Sequence, residues 1–329
     1  MKVAAVVPHW NRRDLLQALL ANLREQTRAF DEIIVVDNGS TDDSAELAER
    51  AGTKVIRIGR NLGFAAAVNR GIEAATSDWI AILNNDVTLA PDWLATLLST
   101  AEQEEAWFAT GKTLMAADPS RIDGAFDAIS RGACALRCGS GRPDGPVWNQ
   151  LRRIRMAPMT AALFQRRLFE DIGSLDEEFG SYLEDVDFGI RCAIHDRWGL
   201  YVPAATASHV GSSTWGQWNK YSVRLIARNQ VLLTTKYFRG LSRWPIVAGQ
   251  LLWGLTALRH GCAGAYLQGK MAGMHVARTL PQQRPASGNS EALPEIEAFL
   301  GESEQTILEI QRQTGFDRYW RAYFWLLGL

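Results

Sequence analysis

The sequence predicts an α/β fold, with a mostly parallel sheet, helices on both faces and a helical region after it. Up to about residue 215, short runs of Val and Ile alternate with stretches whose apolar residues recur every three or four positions. Beyond that point the strand signals fade and helical periodicity remains. Strands that alternate with helices favour a parallel sheet covered on both sides, so residues 1–215 are predicted to form one sheet domain.

Each element of this domain is predicted from a local pattern. Apolar, mostly β-branched runs predict strands at residues 3–7, 33–36, 54–58 and 79–83. Apolar residues at helical spacing predict helices at residues 15–24, 44–51 and 65–75. Ligands of such sheets bind beyond the carboxyl ends of the strands, so the polar residues that follow each strand are the candidates for function.

The chain after residue 215 is predicted to have three parts. Residues 216–280 are expected to form basic amphipathic helices, and they include fifteen uncharged residues in a row between Arg243 and Arg259. A spanning helix needs about 20 apolar residues, so an interfacial or re-entrant helix fits this stretch better. Residues 281–293 have the composition of a linker, and residues 294–329 are predicted to be a helix that ends in an aromatic cluster.

Composition excludes several classes of protein. Of the 329 residues, 47% are hydrophobic and 22% are charged, as in globular proteins, which argues against disorder and fibrous repeats. The four cysteines are too few for a disulfide scaffold and lack CxxC pairs, so we expect a reduced, cytoplasmic setting. The apolar run at residues 3–7 is too short for a signal peptide and is expected to be a buried strand.

Charge is balanced in total but not along the chain. Residues 1–196 hold 21 basic and 29 acidic residues, whereas residues 197–290 hold 11 basic residues and no acidic one. So long a stretch without a carboxylate predicts a surface that meets negative charge. A helical region with a local bias in composition is the alternative. Nucleic acid is disfavoured as the partner because long apolar helices interrupt the basic stretch.

The loop after the second predicted strand carries the first candidate site. Asp37 follows the strand directly, with Asn38 and Gly39 after it. A carboxylate there can accept hydrogen bonds from a base or a ribose. The same residues also fit a turn followed by a helix cap, so both interpretations stay open.

The segment from Arg60 to Gly71 carries the second candidate. A loop leads into a helix of small residues, and backbone N–H groups at such a helix N-terminus favour phosphate. Arg60 can add a charge-assisted hydrogen bond. The segment lacks the GxxxxGK[ST] pattern of a Walker loop.

Two further segments carry carboxylates. A buried strand ends in Asn84-Asn85-Asp86, and a single carboxylate can hold Mg²⁺ when waters and phosphates supply the other ligands. Glu184, Asp185 and Asp187 precede an apolar helical stretch, where they fit either an acidic first turn or a general base. His209 follows later, and it would bind Mn²⁺ well if it lay near Asp86.

Taken together, these segments resemble one family, the nucleotide-sugar glycosyltransferases of family 2 with the GT-A fold. They are most similar to its rhamnosyltransferase-like branch. The resemblance covers about residues 1–240 and rests on six motifs in this order: VVPHWNRRDLL, VVDNGSTDDS, NLGFAAAVNRG, ILNNDV, GSLDEEFGSYLEDVDFGIR and YVPAATASHVGSS.

The resemblance implies roles for individual residues. Asp185 would be the catalytic base, with Glu184 beside it at the acceptor. Asp86 and His209 would hold a divalent metal, Mn²⁺ or Mg²⁺, although Asn84 stands where the family's DxD motif has its first Asp. The implied contacts to the nucleotide-sugar are Pro8, Asp37, Asn38, Arg60, Asn61, Gly63, Asn69, Asn84 and Asn85.

The family further implies an inverting transfer from a UDP- or dTDP-linked sugar, with L-rhamnose as one candidate, in the synthesis of cell-envelope glycans. The acceptor would be a lipid-linked or polysaccharide-precursor hydroxyl. The basic helices would hold the enzyme at the inner face of the membrane by attracting anionic lipids. The aromatic cluster fits the same interface, a contact with a second copy of the chain, or packing onto the rest of the protein.

Two alternatives belong to other functional classes. A sugar-phosphate nucleotidyltransferase would carry a Gly-rich, basic phosphate loop after the first strand, where this chain has Pro8-His9-Trp10-Asn11. A non-catalytic nucleotide-sugar-binding protein is favoured only by Asn84 in place of Asp.

Overall fold

The computed structural model describes residues 1–211, 218–279 and 292–329. They form two compact units: a sheet unit, residues 1–126 and 139–211, and a helical unit, which includes residues 127–138, 218–279 and 292–329. The predicted linker at 281–293 lies outside the described residues up to residue 291.

The described strands are, in chain order, β1 (Val3–His9), β2 (Glu32–Asp37), β3 (Lys54–Arg57), β4 (Trp79–Leu83), β5 (Val87–Leu89), β6 (Phe108–Met115), β7 (Asp118–Gly124), β8 (Asp127–Ile129), β9 (Ala135–Arg137), β10 (Arg152–Ile154), β11 (Ala161–Gln165) and β12 (Gly199–His209). The described helices are α1 (Arg13–Arg24), α2 (Ser44–Arg50), α3 (Phe64–Ala74), α4 (Trp93–Gln103), α5 (Arg166–Ile172), α6 (Glu184–Ile194), α7 (Lys220–Tyr237), α8 (Arg243–Arg259), α9 (Ala263–Thr279), α10 (Ala292–Thr314) and α11 (Arg318–Leu327).

The predicted α/β class with a mostly parallel sheet is confirmed. The sheet has the order β10-β12-β6-β11-β4-β1-β2-β3, with β5 paired to β12 and β7 to β6. Strands β3, β2, β1, β4, β6 and β12 run in one direction, and β11 lies antiparallel between β4 and β6. The carboxyl ends of β1, β2, β4 and β12 therefore meet at one edge, which we call the rim.

Alternation along β1 explains why both faces of the sheet are covered. Val3, Ala5 and Val7 point into an apolar core that contains the leucines of α1 and Trp93 of α4. Val6 points to the opposite face, where Gly71 of α3 lies so close that a Cβ there would come within 2.2 Å of Val6 Cγ1. A strand that is buried on both faces has a continuous apolar sequence, as β1 does.

The helical unit includes a hairpin that the sequence analysis placed in the sheet domain. Strands β8 and β9 pair with each other, and the Ile129 N–H donates to Ser303 Oγ of α10 at 2.7 Å. Glu304 is buried and accepts hydrogen bonds from the Arg131 backbone and from the Tyr323 hydroxyl. Residues 127–138 thus pack with the C-terminal helices.

The predicted single helix at 294–329 is wrong, because the chain forms two helices there. Gly315, with φ of +89°, separates α10 from α11. The break lets α11 turn back, and Trp320, Tyr323 and Phe324 are buried within the helical unit. Packing thus accounts for most of the aromatic cluster, although Trp325 is 77% exposed. Among the described parts of the chain, no helix has the length and apolar character needed to cross a membrane.

Candidate active site

The rim carries polar side chains from strands that are far apart in sequence. Asp37 is the last residue of β2 and pairs in register with His9, the last residue of β1, and the Asn38 N–H donates to the His9 carbonyl at 2.8 Å. Asp86 follows β4 by three residues. His209 ends β12 and pairs with Val87, the residue after Asp86. Strand direction and register therefore bring Asp37, Asp86 and His209 to the same edge.

Asp37 and Pro8, two residues predicted to contact the nucleotide, lie at the carboxyl ends of β2 and β1. Asp37 is buried, and its Oδ1 accepts a hydrogen bond from the Ser40 N–H at 3.1 Å. This bond fixes the carboxylate at the start of the loop. Pro8 is partly buried one residue before the end of β1.

Asn38 holds the loop that contains Asn61 and Gly63. Its Nδ2 donates to Asn61 Oδ1 and to the Gly63 carbonyl, at 3.1 and 3.0 Å, and its Oδ1 accepts from the Leu62 N–H. These contacts fix the loop beside Asp37, so Asn38 has a structural task whether or not it also touches a nucleotide. Arg60, at the start of this loop, is exposed.

The N-terminus of α3 differs from the open phosphate site that the sequence suggested. The Phe64 N–H donates to Ser181 Oγ and the Ala65 N–H to the Gly180 carbonyl, at 3.1 and 2.9 Å. Gly63 has φ of +93°, and a Cβ there would lie 2.7 Å from the Gly180 oxygen. The chain itself takes up these donors, and the contact brings the segment before α6 onto the rim.

Asn69 also serves the fold. It is buried, its Nδ2 donates to the Leu175 carbonyl and to Glu177 Oε1, and its Oδ1 accepts from the Leu175 N–H. Both N–H donors of the amide are used within the chain. Of the residues expected to contact a nucleotide-sugar, Asn69 is thus the one that the structure favours least.

The Asn84-Asn85-Asp86 segment is anchored at both ends. The Asn84 N–H donates to the Thr160 carbonyl, and Asn85 Nδ2 lies 2.8 Å from His9 Nδ1.

His9 is 2% exposed, and its Nε2 is a buried atom without a hydrogen-bond partner among the described residues. Burial lowers the pKa of His9 to about 4, against the opposing field of Asp42 and Asp37, so the ring is neutral at pH 7.

His209 lies between two carboxylates. Its Nε2 is 3.1 Å from Asp86 Oδ1, and its Nδ1 is 2.9 Å from Asp123 Oδ2 in β7. Burial alone would lower the pKa of His209, but the hydrogen bonds to Asp123 and Asp86 outweigh it and raise the pKa to about 9. The imidazole therefore carries a proton on each nitrogen at pH 7 when no cation competes for it.

The acidic turn of α6 divides into one accessible and two buried carboxylates. Glu184 and Asp187 are buried, and Asp187 pairs with Arg191 at 3.1 Å. Asp185 is partly exposed, so it is the carboxylate of this turn that an incoming molecule can reach. Tyr182 and Leu183, directly before α6, both have φ near +70°. Such strained backbone persists where the surroundings enforce it, often at functional sites.

Contacts link these segments along the rim. One series runs from Asp37 through Asn38 to Gly63 and then to Gly180, five residues before Asp185. Another runs from His9 through Asn85 to the Asp86–His209 pair.

Two residues of the site, His9 and Asp123, were not predicted from the sequence. His9 ends a buried strand, a signal that was available, whereas nothing in the sequence around Asp123 marks it.

The donor atoms at Asp86 and His209 fit a divalent cation of the Mn²⁺ type. Carboxylate and imidazole are ligands that Mn²⁺ accepts, and the Asp123–His209 hydrogen bond is the outer-shell contact typical of metal-binding histidines. The described residues contain no group of three or more His, Cys, Asp or Glu arranged to hold a metal. A cation here would thus depend on substrate oxygens for further ligands, and it would replace the proton on His209 Nε2.

Comparison with known proteins decides the family. The model of glycosyl transferase family 2 matches residues 4–173, just over half of the chain. The chain belongs to glycosyl transferase family 2. It is therefore a glycosyltransferase, and the matched segment contains Asp37, Asn61, Asp86 and Asp123 of the rim.

Individual relatives agree with this family. An N-acetylglucosaminyl-diphospho-decaprenol L-rhamnosyltransferase of Mycobacterium tuberculosis is 28% identical over 226 residues, covering 61% of this chain and 74% of the relative.

Two solved structures share the fold. The mannosyltransferase PcManGT of Pyrobaculum calidifontis, in complex with GDP-Man and Mn²⁺, has a TM-score of 0.54 and 17% identity, covering 98% of this chain and 85% of its own. GalNAc-T7, with UDP, GalNAc and Mn²⁺, has a TM-score of 0.65 and 14% identity, covering 96% of this chain and 58% of its own. The predicted GT-A fold is confirmed.

Proposed function

We propose that this glycosyltransferase moves a sugar from a nucleoside-diphosphate sugar to a hydroxyl of a lipid-linked glycan precursor, with inversion at the anomeric carbon. The observation that carries the proposal is the meeting of Asp37, Asp86 and His209 at one edge of the sheet, with the segment that leads to Asp185 packed on the same rim. A donor with a base, a diphosphate and a sugar needs such an extended row of polar groups.

The donor would lie along the rim. Asp37 and Pro8 would contact the base, because a buried carboxylate accepts hydrogen bonds from base and ribose N–H and O–H groups. Asn61, Gly63 and the exposed Arg60 would lie beside the ribose and diphosphate, with Asn84 and Asn85 next to them. Arg60 would provide the charge-assisted hydrogen bond to a phosphate oxygen.

Asp86 and His209 would hold the divalent cation. When bound, the cation stabilises the negative charge that grows on the diphosphate as it leaves. The contribution of the chain would be to hold Asp86 Oδ1 and His209 Nε2 side by side, and their separation of 3.1 Å supports this role. The Mn²⁺ named in the two structural relatives makes it the first ion to test.

Asp185 would be the general base. Its partly exposed carboxylate would take the proton from the acceptor hydroxyl as that oxygen attacks the anomeric carbon from the face opposite the diphosphate. Glu184 is buried beside it and would help to shape the acceptor end. A single displacement of this kind inverts the configuration and needs no nucleophilic Cys or Ser.

The relatives suggest which substrates to test first. The name of the mycobacterial relative pairs an L-rhamnosyl donor with a diphospho-decaprenol-linked acceptor, so dTDP-L-rhamnose and a polyprenyl-diphosphate-linked sugar are the first candidates. Such an acceptor is held in a bilayer, which supports action at the cytoplasmic face of the membrane and a role in cell-envelope glycan synthesis.

The test is release of nucleoside diphosphate from a panel of UDP- and dTDP-sugars in the presence of Mn²⁺. Asp185→Asn should lower turnover about 10²–10⁴-fold while calorimetry shows donor binding like that of the wild type. The matched control is Glu178→Gln, at an exposed position seven residues before Asp185. This variant should keep full activity. Turnover at the wild-type rate in Asp185→Asn would remove Asp185 from the mechanism.

A further inference from the structure

Helix α8 carries its large apolar side chains on the solvent side. Its exposed residues include Trp244, Val247, Leu251, Leu255 and Leu258, with exposed fractions between 45% and 64%. The spacing of three and four residues places them on one face of the helix. In a surface helix of a globular protein such a face packs against the core, so α8 has the reverse arrangement.

The inner side of α8 carries small residues, which let the helix pack closely against its neighbours. Its buried residues are small or compact: Pro245, Ala248, Gly249 and Ala257. A Cβ on Gly249 would lie 2.8 Å from the Gly132 carbonyl oxygen, and one on Gly254 would lie 2.9 Å from the ring of Tyr266. Small residues where backbones approach each other, with large apolar residues outside, are the pattern of helices that pack beside lipid.

Helix α9 repeats the arrangement. Leu267, Met271 and Met274 are at least half exposed. Gly269 and Gly273 face the Arg224 and Arg228 carbonyls of α7, where a Cβ would come within 2.2 and 2.6 Å of the oxygen atoms. We call the exposed apolar residues of the two helices, together with the basic residues at their ends, the α8/α9 face.

Charge indicates what covers this face. Arg243, Arg259 and Arg278 are exposed at the ends of α8 and α9, and the sequence holds no acidic residue between positions 197 and 290. Aliphatic side chains bordered by cations match an anionic bilayer, with acyl chains below and negative headgroups at the boundary. A symmetric contact between two copies would instead bring like charges together.

We propose that the α8/α9 face docks on the surface of a bilayer that contains anionic lipid, with Leu251, Leu255 and Met271 entering the boundary between headgroups and acyl chains. The proposal rests on the proposed function only for its purpose, which is access to a lipid-linked acceptor. The lipid contact itself belongs to the helical unit and is independent of Asp185.

The experiment is flotation of the full chain with vesicles of phosphatidylcholine alone or mixed with phosphatidylglycerol. The wild type should float with the mixed vesicles, and less so at high salt. Leu255→Ser should weaken binding about tenfold or more. Leu151→Ser, at another half-exposed leucine, is the matched control and should bind like the wild type.

Charge variants and a catalytic variant complete the test. Arg259→Gln and Arg278→Gln should each weaken binding to the mixed vesicles about fivefold. Asp185→Asn should float like the wild type, which separates a failure of this proposal from a failure of the proposed function. Wild-type flotation of Leu255→Ser would overturn the proposal, as would a wild-type dimer that Leu255→Ser dissociates without any effect of vesicles.

A second inference comes from an independent observation, the contact between Asp123 and His209. Asp123 lies in β7, and its Oδ2 is 2.9 Å from His209 Nδ1, while His209 Nε2 faces Asp86. We infer that Asp123 is a positioning residue. Its carboxylate keeps the proton on Nδ1 and fixes the ring, so that Nε2 faces Asp86, where it would bind a cation once its own proton is displaced.

Measurement of Mn²⁺ binding in the presence of a nucleoside diphosphate tests this role without any turnover. Asp123→Ala should weaken Mn²⁺ binding about 10–100-fold, and Asp123→Asn, whose amide oxygen can still accept from Nδ1, should restore part of it. Asp118→Asn, on the exposed part of the same strand, is the control and should bind Mn²⁺ like the wild type. Wild-type Mn²⁺ affinity in Asp123→Ala would overturn the inference, as would equal loss in the Asn and Ala variants.

Discussion

Helices α1 and α8 use the same residue type in opposite ways. In α1, four of the five leucines, at positions 16, 19, 20 and 23, are buried against the sheet, whereas in α8 three of the four leucines, at positions 251, 255 and 258, face solvent. The comparison shows that leucine content alone does not tell which face of a helix supports the fold. In α8 the small residues pack, and the large ones remain available to a partner.

The largest expected difference between the two helices is in stability. Leu16→Ala should lower the free energy of unfolding by about 2–5 kcal/mol, because it leaves a cavity in a fully buried site. Leu255→Ala should change it by less than about 0.5 kcal/mol, because the side chain is 61% exposed. Urea denaturation of both variants measures this, and equal losses would mean that α8 is covered by protein.

The buried side chain of His9 should make the free energy of unfolding depend on pH. His9 has a pKa of about 4 in the folded chain and about 6.5 when unfolded, so the unfolded state binds a proton first as the pH falls. The free energy of unfolding should thus drop by about 3 kcal/mol between pH 6.5 and pH 4 through His9 alone. His9→Asn should remove that part of the drop in denaturation curves across this range. An unchanged pH dependence in His9→Asn would show that the folded chain accommodates the charged ring.

The smallest expected difference between two variants concerns two glycines near the rim. Gly63 and Gly59 both have φ above +80°, but only a Cβ on Gly63 would meet backbone, that of Gly180. Replacement by Ala should cost about 1–3 kcal/mol at either position from backbone strain, and about 1–3 kcal/mol more at Gly63 from the clash. Thermal unfolding compares the two variants. Equal losses would show that the Gly63–Gly180 contact relaxes easily.

Much of the sheet unit is predictable from sequence because its signals are local. The strand at 79–83 ends where the sequence predicts, and β1 extends two residues beyond the predicted run, to His9. Long-range contacts produced the differences. The hairpin at 127–138 joins the helical unit through Ser303 and Glu304, more than 170 positions away, which no local pattern can show.

The site was predictable where a motif and a strand end coincide. Asp37 ends one buried strand and Asp86 follows another, and the parallel direction of these strands places both residues at the same edge of the sheet. Asn69 shows the limit of this reasoning, because a polar residue in a motif can serve the fold by binding the Leu175 backbone. Asp123 was missed because its partner His209 lies 86 positions away and β7 is mostly exposed.

The configuration at the anomeric carbon of the product distinguishes a single displacement from a double one. Proton NMR of the first-formed product, taken before mutarotation or further reaction, shows the configuration of the transferred sugar. A partly exposed Asp185 acting as a base in a single displacement predicts the configuration opposite to that of the donor. Retention of the donor's configuration would contradict the assignment of Asp185 and the mechanism built on it.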